Sequence, residues 1–309
     1  MDVIAKFGRE DLAILYVVKN NDKYLEFVES LQPPIPRDKK WVLILSTMYG
    51  CPVRCKMCDA GSYYQGKVST DDLFKQIDFM VLNRYPDKNI PAEKFKVQFA
   101  RMGEPCLNEA VLDVMKLLPD RYNAPGLMPC ISTIAPKNAQ KFMDELIVIK
   151  NEMYSNGHFQ MQFSIHSSDE EKRKEIIPYK IWSLEDIATY GEEFYEKGDR
   201  KITLNFAAEK DTPLDPDTIG RIFDPEKYIV KITPINPTES VKAHGISSMI
   251  TAEEGEEVKK LVKELEDRGF ESIISIGELE ENKIGSNCGQ QALKFLDGKI
   301  EILEYQPYT

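Results

Sequence analysis

The 309-residue chain has no uninterrupted apolar run long enough to cross a bilayer. Its opening, "MDVIAKFGRED", carries charges throughout, which is not how a signal peptide begins. The expectation is a cytoplasmic protein with no membrane partner. Cysteine is scarce, and six in a chain of this length are too few for a disulfide scaffold. Positive charge is also short: 40 Lys and Arg face 51 Asp and Glu, for a net charge of −11. A protein that grips folded RNA or DNA needs a basic footprint to displace counterions from phosphates. Local basic patches such as "RDKK" (37–40) and "EEKRKE" (170–175) stay open as contacts, and a solvated loop or helix face explains them about as well. No internal repeat or low-complexity stretch is present, so solenoid and fibrous classes drop out.

What remains is an alternation of short apolar runs and helix-like stretches. "LAILYVV" (12–18) and "YLEFVE" (24–29) flank the turn-like "KNNDK" and read as a hairpin. "QPPIPRDKK" (32–40) then breaks regular structure. Strand-like runs follow at 41–47, 95–101, 128–133, 159–166, 201–207, 228–235 and 271–276. Between them lie helix-like stretches such as 69–85, with Ser69 or Thr70 as N-cap, 183–197 and 251–269. Strand and helix in this order imply right-handed βαβ units and a parallel sheet, rolled into a full or partial barrel. "LKFLDGKIEIL" (293–303) reads as a second hairpin turning at Asp297-Gly298. The division expected is an N-terminal hairpin extension over 1–40 and a core barrel with a C-terminal hairpin over 41–309.

Half of the cysteines fall in "MYGCPVRCKMCDAG" (48–61), at Cys51, Cys55 and Cys58. They directly follow the first strand of the alternation, where α/β sheets place their ligands. A structural zinc site is closed by four ligands, usually as two separated pairs. Cys106, Cys130 and Cys288 are scattered, and none belongs to a second CxxC. Thiolates also suit iron–sulfur clusters, and a cubane held by three of them leaves one iron open to a ligand that is not protein.

This triplet resembles the signature of the radical S-adenosylmethionine (SAM) superfamily, in which a [4Fe–4S] cluster binds SAM at its open iron. The resemblance implies an α/β fold, a partial (β/α)6 barrel, with Cys51, Cys55 and Cys58 holding the cluster. Met57 stands where the superfamily usually places an aromatic residue beside the adenine. "RMGEPCLN" (101–108) is similar to the superfamily's Gly-Glu-Pro segment, which implies that Gly103 and Glu104 hold the amino group of SAM. "ISTIAP" (131–136), "SIHSSDEEKRKEIIP" (164–178), "TPINP" (233–237) and "GSNCGQQ" (285–291) resemble one narrower branch, the ribosomal-RNA adenine methylases. By position, Ser132, Ser164, Ile165, His166 and Asn236 become SAM-pocket residues.

In that branch the cysteine of a Cys-Gly-Gln segment accepts a methyl group from one SAM, and the resemblance gives this role to Cys288. Glu29, at the end of the hairpin, matches a glutamate assigned as proton acceptor. The branch carries a second mechanistic cysteine seven positions before the cluster's first, and here that position is Ile44. Cys106 or Cys130 is left as a substitute. Relatives that methylate RNA carry a helical RNA-binding domain before the hairpin, where this sequence has about ten residues. With the charge balance, these departures point to a small-molecule or other non-ribosomal substrate. RNA adenine methylation, a non-methylating radical reaction and a non-enzymatic metal-stabilised binding protein are the alternatives. A flavodoxin- or ferredoxin-type electron donor is implied as partner.

Overall fold

The computed structural model describes residues 1–249, 255–275 and 288–298. Three antiparallel strands come first: β1 (Asp2–Arg9), β2 (Ala13–Asn20) and β3 (Lys23–Ser30). β2 and β3 are the expected hairpin, pairing Val18 with Leu25 and Ile14 with Glu29. β1 is an addition. Its interleaved charges obscure an edge strand that pairs along β2.

β3 runs antiparallel to β4 (Lys40–Leu45). A two-stranded ribbon follows, β5 (Met48–Gly50) with β6 (Tyr64–Lys67). Then come β7 (Lys94–Phe99), β8 (Leu127–Thr133), β9 (Gln160–Ser164), β10 (Ile202–Ala207), β11 (Tyr228–Thr233) and β12 (Ser272–Ile274). β4 and β7 to β12 are parallel and adjacent in chain order, so one ten-stranded sheet runs from β1 to β12. Each parallel step needs a crossover, and helices supply it. They are α1 (Thr70–Arg84), α2 (Ala110–Arg121), α3 (Gln140–Met153), α4 (Glu170–Ile176), α5 (Leu184–Phe194), α6 (Pro216–Ile222), α7 (Glu239–His244) and α8 (Glu256–Glu266). Ser69 caps α1 by accepting the Asp72 N–H, and Ser183 with Asp186 forms a capping box on α5.

Period-two burial decides which face is which. Trp41, Leu43 and Leu45 of β4, Phe95, Val97 and Phe99 of β7, and Tyr228, Val230 and Ile232 of β11 pack in the core with the helices. Each such side chain contributes about 1.5–3 kcal/mol by leaving water. On three strands the opposite face is mostly polar: Lys94, Lys96 and Gln98 on β7, Gln160, Gln162 and Ser164 on β9, Lys231 and Thr233 on β11. Side chains from the loop after β4 round to Ser275, just beyond β12, line one cavity, so the sheet curls around this polar lumen. Among the described residues it does not close, and β1 and β12 are its ends.

The expected C-terminal hairpin is corrected over its first half. Residues 290–296 form a helix, α9 (Gln290–Leu296), with Ala292 and Phe295 buried three apart on one face. Asp297-Gly298 is its terminus, Gly298 taking φ of +64° as a left-handed cap. The remainder, 299–303, lies outside the described residues. No helix among the described residues is long and apolar enough to cross a membrane.

Candidate active site

The cysteine loop is fastened before any metal is considered. The Cys51 N–H donates to Tyr63 O (2.9 Å), which requires β5 to pass against the chain at Gly50. Gly50 has φ of +81°, and a Cβ there would lie 2.0 Å from Tyr63 O. Asp59, fully buried behind Cys58, accepts the Glu239 and Ser240 N–H groups (3.2 and 2.8 Å) at the start of α7. Thr238 donates to Met57 O (3.1 Å), so the loop holding Asn236 is tied to the loop holding the cysteines.

The second wall is the segment after β7. Thr47 and Met48 donate backbone N–H groups to Met102 O (2.8 and 3.1 Å). The next residue crosses Met48 so closely that a Cβ on Gly103 would stand 2.5 Å from Met48 Cβ. Glu104 then reaches the cavity with its carboxylate fixed: it accepts from Cys106 N (3.1 Å), Thr133 Oγ1 (2.5 Å) and Ile134 N (3.0 Å). Burial pushes its carboxyl above the usual range, and those three donors oppose the shift.

Cys288 enters from the far end of the chain. Its thiol donates to Arg101 O (2.6 Å) and lies against the Cys58 thiol. That contact, ahead of burial, pushes the Cys288 thiol well up and draws the Cys58 thiol down. Burial pushes Cys51 up to about 12, with the nearby Cys58 adding to it, and holds Cys55 well above the usual thiol range for the same reasons. Glu26, fully buried on β3, accepts N–H bonds from Gly289 (2.6 Å), Gln291 (3.2 Å) and Ala292 (3.0 Å) and pairs with Arg101 (2.6 Å). A carboxylate from another strand thus caps α9 and holds the residue after Cys288.

All of the site residues expected from the sequence line a single cavity of about 440 Å³, except two. Ile165 packs in the core, and only its backbone is engaged, donating to Asn205 O (2.8 Å). Glu29 is turned away. It stands three residues from Glu26, and on a strand an odd separation means opposite faces. There it accepts from Tyr16 Oη (2.8 Å) and from Arg84 Nε and Nη2 (3.1 and 2.7 Å), a structural ion pair against α1. Neither Cys106 nor Cys130 lines the cavity: Cys106 lies against Met143 Sδ (3.6 Å) and Cys130 donates to Met128 O (3.5 Å). Gln162, Asn205 and Lys231 line it without having been singled out, as does Arg101. Asn205 Oδ1 is buried with no hydrogen-bond partner among the described residues, an orphan that a ligand's hydroxyl or amine would satisfy.

His166 shows how the pocket sets a proton. Its Nδ1 accepts the Ala207 N–H (3.2 Å), which leaves Nε2 to carry the hydrogen. Burial, with Arg173 nearby, lowers its pKa to about 4. The unfolded chain, at an ordinary 6.5, binds the extra proton between those values, so this residue's share of stability is intact above pH 6.5. Roughly 3 kcal/mol is lost as pH falls from 6.5 to 4. His166 has φ of +65°, which asparagine tolerates best, so His166→Asn is the test. Its urea midpoint should fall less steeply than the wild type's over that window; parallel slopes would refute the assignment.

Among the described residues no three His, Cys, Asp or Glu side chains converge tightly enough to ligate one metal ion. Three soft thiols of one loop at the wall of one cavity are a donor set suited to an iron–sulfur cluster with one position left to a ligand that is not protein.

No family model matches the chain. In solved structures it is similar to a radical SAM methyltransferase from Sphaerobacter thermophilus, with a TM-score of 0.73 and 18% identity over 94% of this chain and 80% of that one. The likeness shows that the chain shares the fold of that enzyme. In sequence the chain resembles one branch of radical SAM methyltransferases. It is 26% identical over 205 residues to "Probable dual-specificity RNA methyltransferase RlmN" of Pseudothermotoga lettingae, across 63% of this chain and 55% of the relative. To the protein of the same name in Thermus thermophilus it is 25% identical over 269 residues, 84% of this chain and 70% of the relative. The chain thus spans between about half and seven-tenths of the curated relatives it matches. Its sequence resembles the RlmN branch without reaching the identity that would place it there.

Proposed function

We propose that this chain is a radical SAM methyltransferase that moves a methyl group by way of Cys288. The observation that carries the reading is the Cys288 thiol, held against Cys58 at the wall of the cavity that Cys51, Cys55 and Glu104 also line. Cys51, Cys55 and Cys58 would hold the [4Fe–4S] cluster, which supplies the electron that splits SAM. Glu104 offers a fixed carboxylate to the SAM ammonium, a charge-assisted bond in a buried site. His166, neutral, offers one N–H, and Asn205 an unfilled acceptor. Cys288, its proton released to solvent, would take the methyl carbon as the sulfonium S–CH₃ bond breaks, leaving a neutral thioether on the protein and S-adenosylhomocysteine as the departing group.

Composition favoured a non-ribosomal substrate, whereas the relatives' names favour RNA. We take RNA as the substrate class the comparisons support, against that expectation. A non-ribosomal substrate stays as the second reading on one observation: Ile44 stands at the family's resolving-thiol position, and neither Cys106 nor Cys130 lines the cavity to replace it. After anaerobic incubation with SAM and a reductant, peptide mass spectrometry should find Cys288 heavier by one CH₂ group. An unmodified Cys288 would sink methyl transfer through this residue. Labelled methyl recovered in total RNA, or absent from it, separates the two substrates.

A further inference from the structure

The lumen carries positive charge for which no carboxylate partner is found among the described residues. Lys94 and Lys96 sit on the lumen side of β7 and Lys231 on that of β11, by the same alternation that buries Phe95, Val97, Val230 and Ile232 on the other face. Lys40 opens β4 on the lumen side, hydrogen-bonded to Gln32 Oε1. Three lysines elsewhere in the fold are matched: Lys201, just before β10, pairs with Glu271 (2.7 Å), Lys227, just before β11, with Glu192, and the buried Lys150 of α3 with Asp199 (2.5 Å). Among the described residues, no carboxylate lies within ion-pair distance of Lys94, Lys96 or Lys231. Lys96 Nζ donates to Gln160 Oε1 (2.8 Å), a neutral partner that positions the ammonium without cancelling it.

This arrangement costs the free protein stability. Burial and the neighbouring Lys96, Lys94, Lys231 and Arg200 push Lys40 down to about 8. Burial and Arg200 lower Lys94, and burial and Lys96 lower Lys231. Barrel interiors are ordinarily filled with branched apolar side chains. Like charges gathered inside a chain of net charge −11 are a functional signature, since selection for stability alone would remove them.

We propose that the barrel lumen is an anion site, in which Lys96 and Lys231, backed by Lys40 and Lys94, hold a phosphate-bearing group of the substrate. Lys231 lines the same cavity as Cys288 and the cluster cysteines, so one ligand can touch both regions. Several ammonium groups match a phosphate or diphosphate, with more than one negative charge, better than a lone carboxylate. The inference rests on the methyltransferase reading only in calling that ligand the substrate.

Inorganic pyrophosphate is the probe, titrated by calorimetry into the cluster-loaded full chain with and without SAM. The wild type should bind it, more weakly as salt is raised. Lys231→Gln and Lys96→Gln should each weaken binding by about tenfold or more. Lys231→Gln should also raise the melting temperature of the ligand-free protein, because it removes repulsion; a lysine with a structural partner would lower it. Equal pyrophosphate affinity in variants and wild type, or a lowered melting temperature in Lys231→Gln, overturns the proposal. So does a wild type that ignores pyrophosphate while the variants lose SAM affinity, which assigns the lysines to the methionine carboxylate. Failure of the methyltransferase reading looks different: pyrophosphate binds, but SAM is not cleaved and Cys288 is not modified.

Discussion

Cys51→Ala should produce a colourless protein that no longer cleaves SAM to 5′-deoxyadenosine, a loss of more than ~100-fold. Changes one shell further out typically cost 10–100-fold in metal affinity or activity, so removing a direct ligand sets that as the floor. The fold should survive, because what fastens this loop is backbone: Cys51 N to Tyr63 O, Cys58 N to Cys55 O, and Asp59 on the start of α7. Burial holds the Cys51 and Cys55 thiols protonated in the free chain, so loading the cluster must release protons, and it is the cluster that suffers when one ligand is absent. Cys130→Ala is the control, since Cys130 does not line the cavity. Iron per chain, visible absorbance and chromatographic detection of 5′-deoxyadenosine read the outcome. A Cys51→Ala protein that retains full iron and cleavage would remove the basis for calling this a radical SAM enzyme.

What could be read in the sequence was what is local. Strand and helix spacing, the Ser69 cap, and three cysteines on the loop after β4 are set by neighbours within a few positions. The errors share the opposite character. Asp297-Gly298 serves equally as a hairpin turn or a helix terminus, and only burial of Ala292 and Phe295, with Glu26 accepting the N–H groups at the start of α9, selects the helix. Glu29 and Glu26 are both acids in "YLEFVES", and which one faces the site depends on the phase of β3 against its partners. That phase is not a property of the segment alone. Asn205 and Lys231 did leave a signal, as polar residues in "KITLNFA" and "YIVKITPI" at positions where a doubly buried strand would be apolar. Their convergence in one lumen is long-range and could not be seen.

Glu26→Ala should uncouple the two halves of the reaction. Removing the carboxylate takes the buried ion pair away from Arg101 and the hydrogen bonds to Glu26 away from the N–H groups of Gly289, Gln291 and Ala292. Breaking a buried pair from one side costs about 3–5 kcal/mol, more than an α9 of seven residues can recover from its own contacts. That helix and the adjoining Cys288 should then detach from the wall while the cysteine triplet, anchored separately through Tyr63 and Asp59, stays in place. Hydrogen exchange at residues 289–292 should accelerate, and Cys288 should alkylate faster than in the wild type. Methylation of Cys288 should drop by more than about tenfold, the factor that 1.4 kcal/mol carries, with SAM cleavage retained. Glu26→Gln keeps the shape and one acceptor oxygen, so it should fall between the two. If Glu26→Ala melts like the wild type and protects Cys288 equally well, the carboxylate is not what holds the carrier thiol at the site.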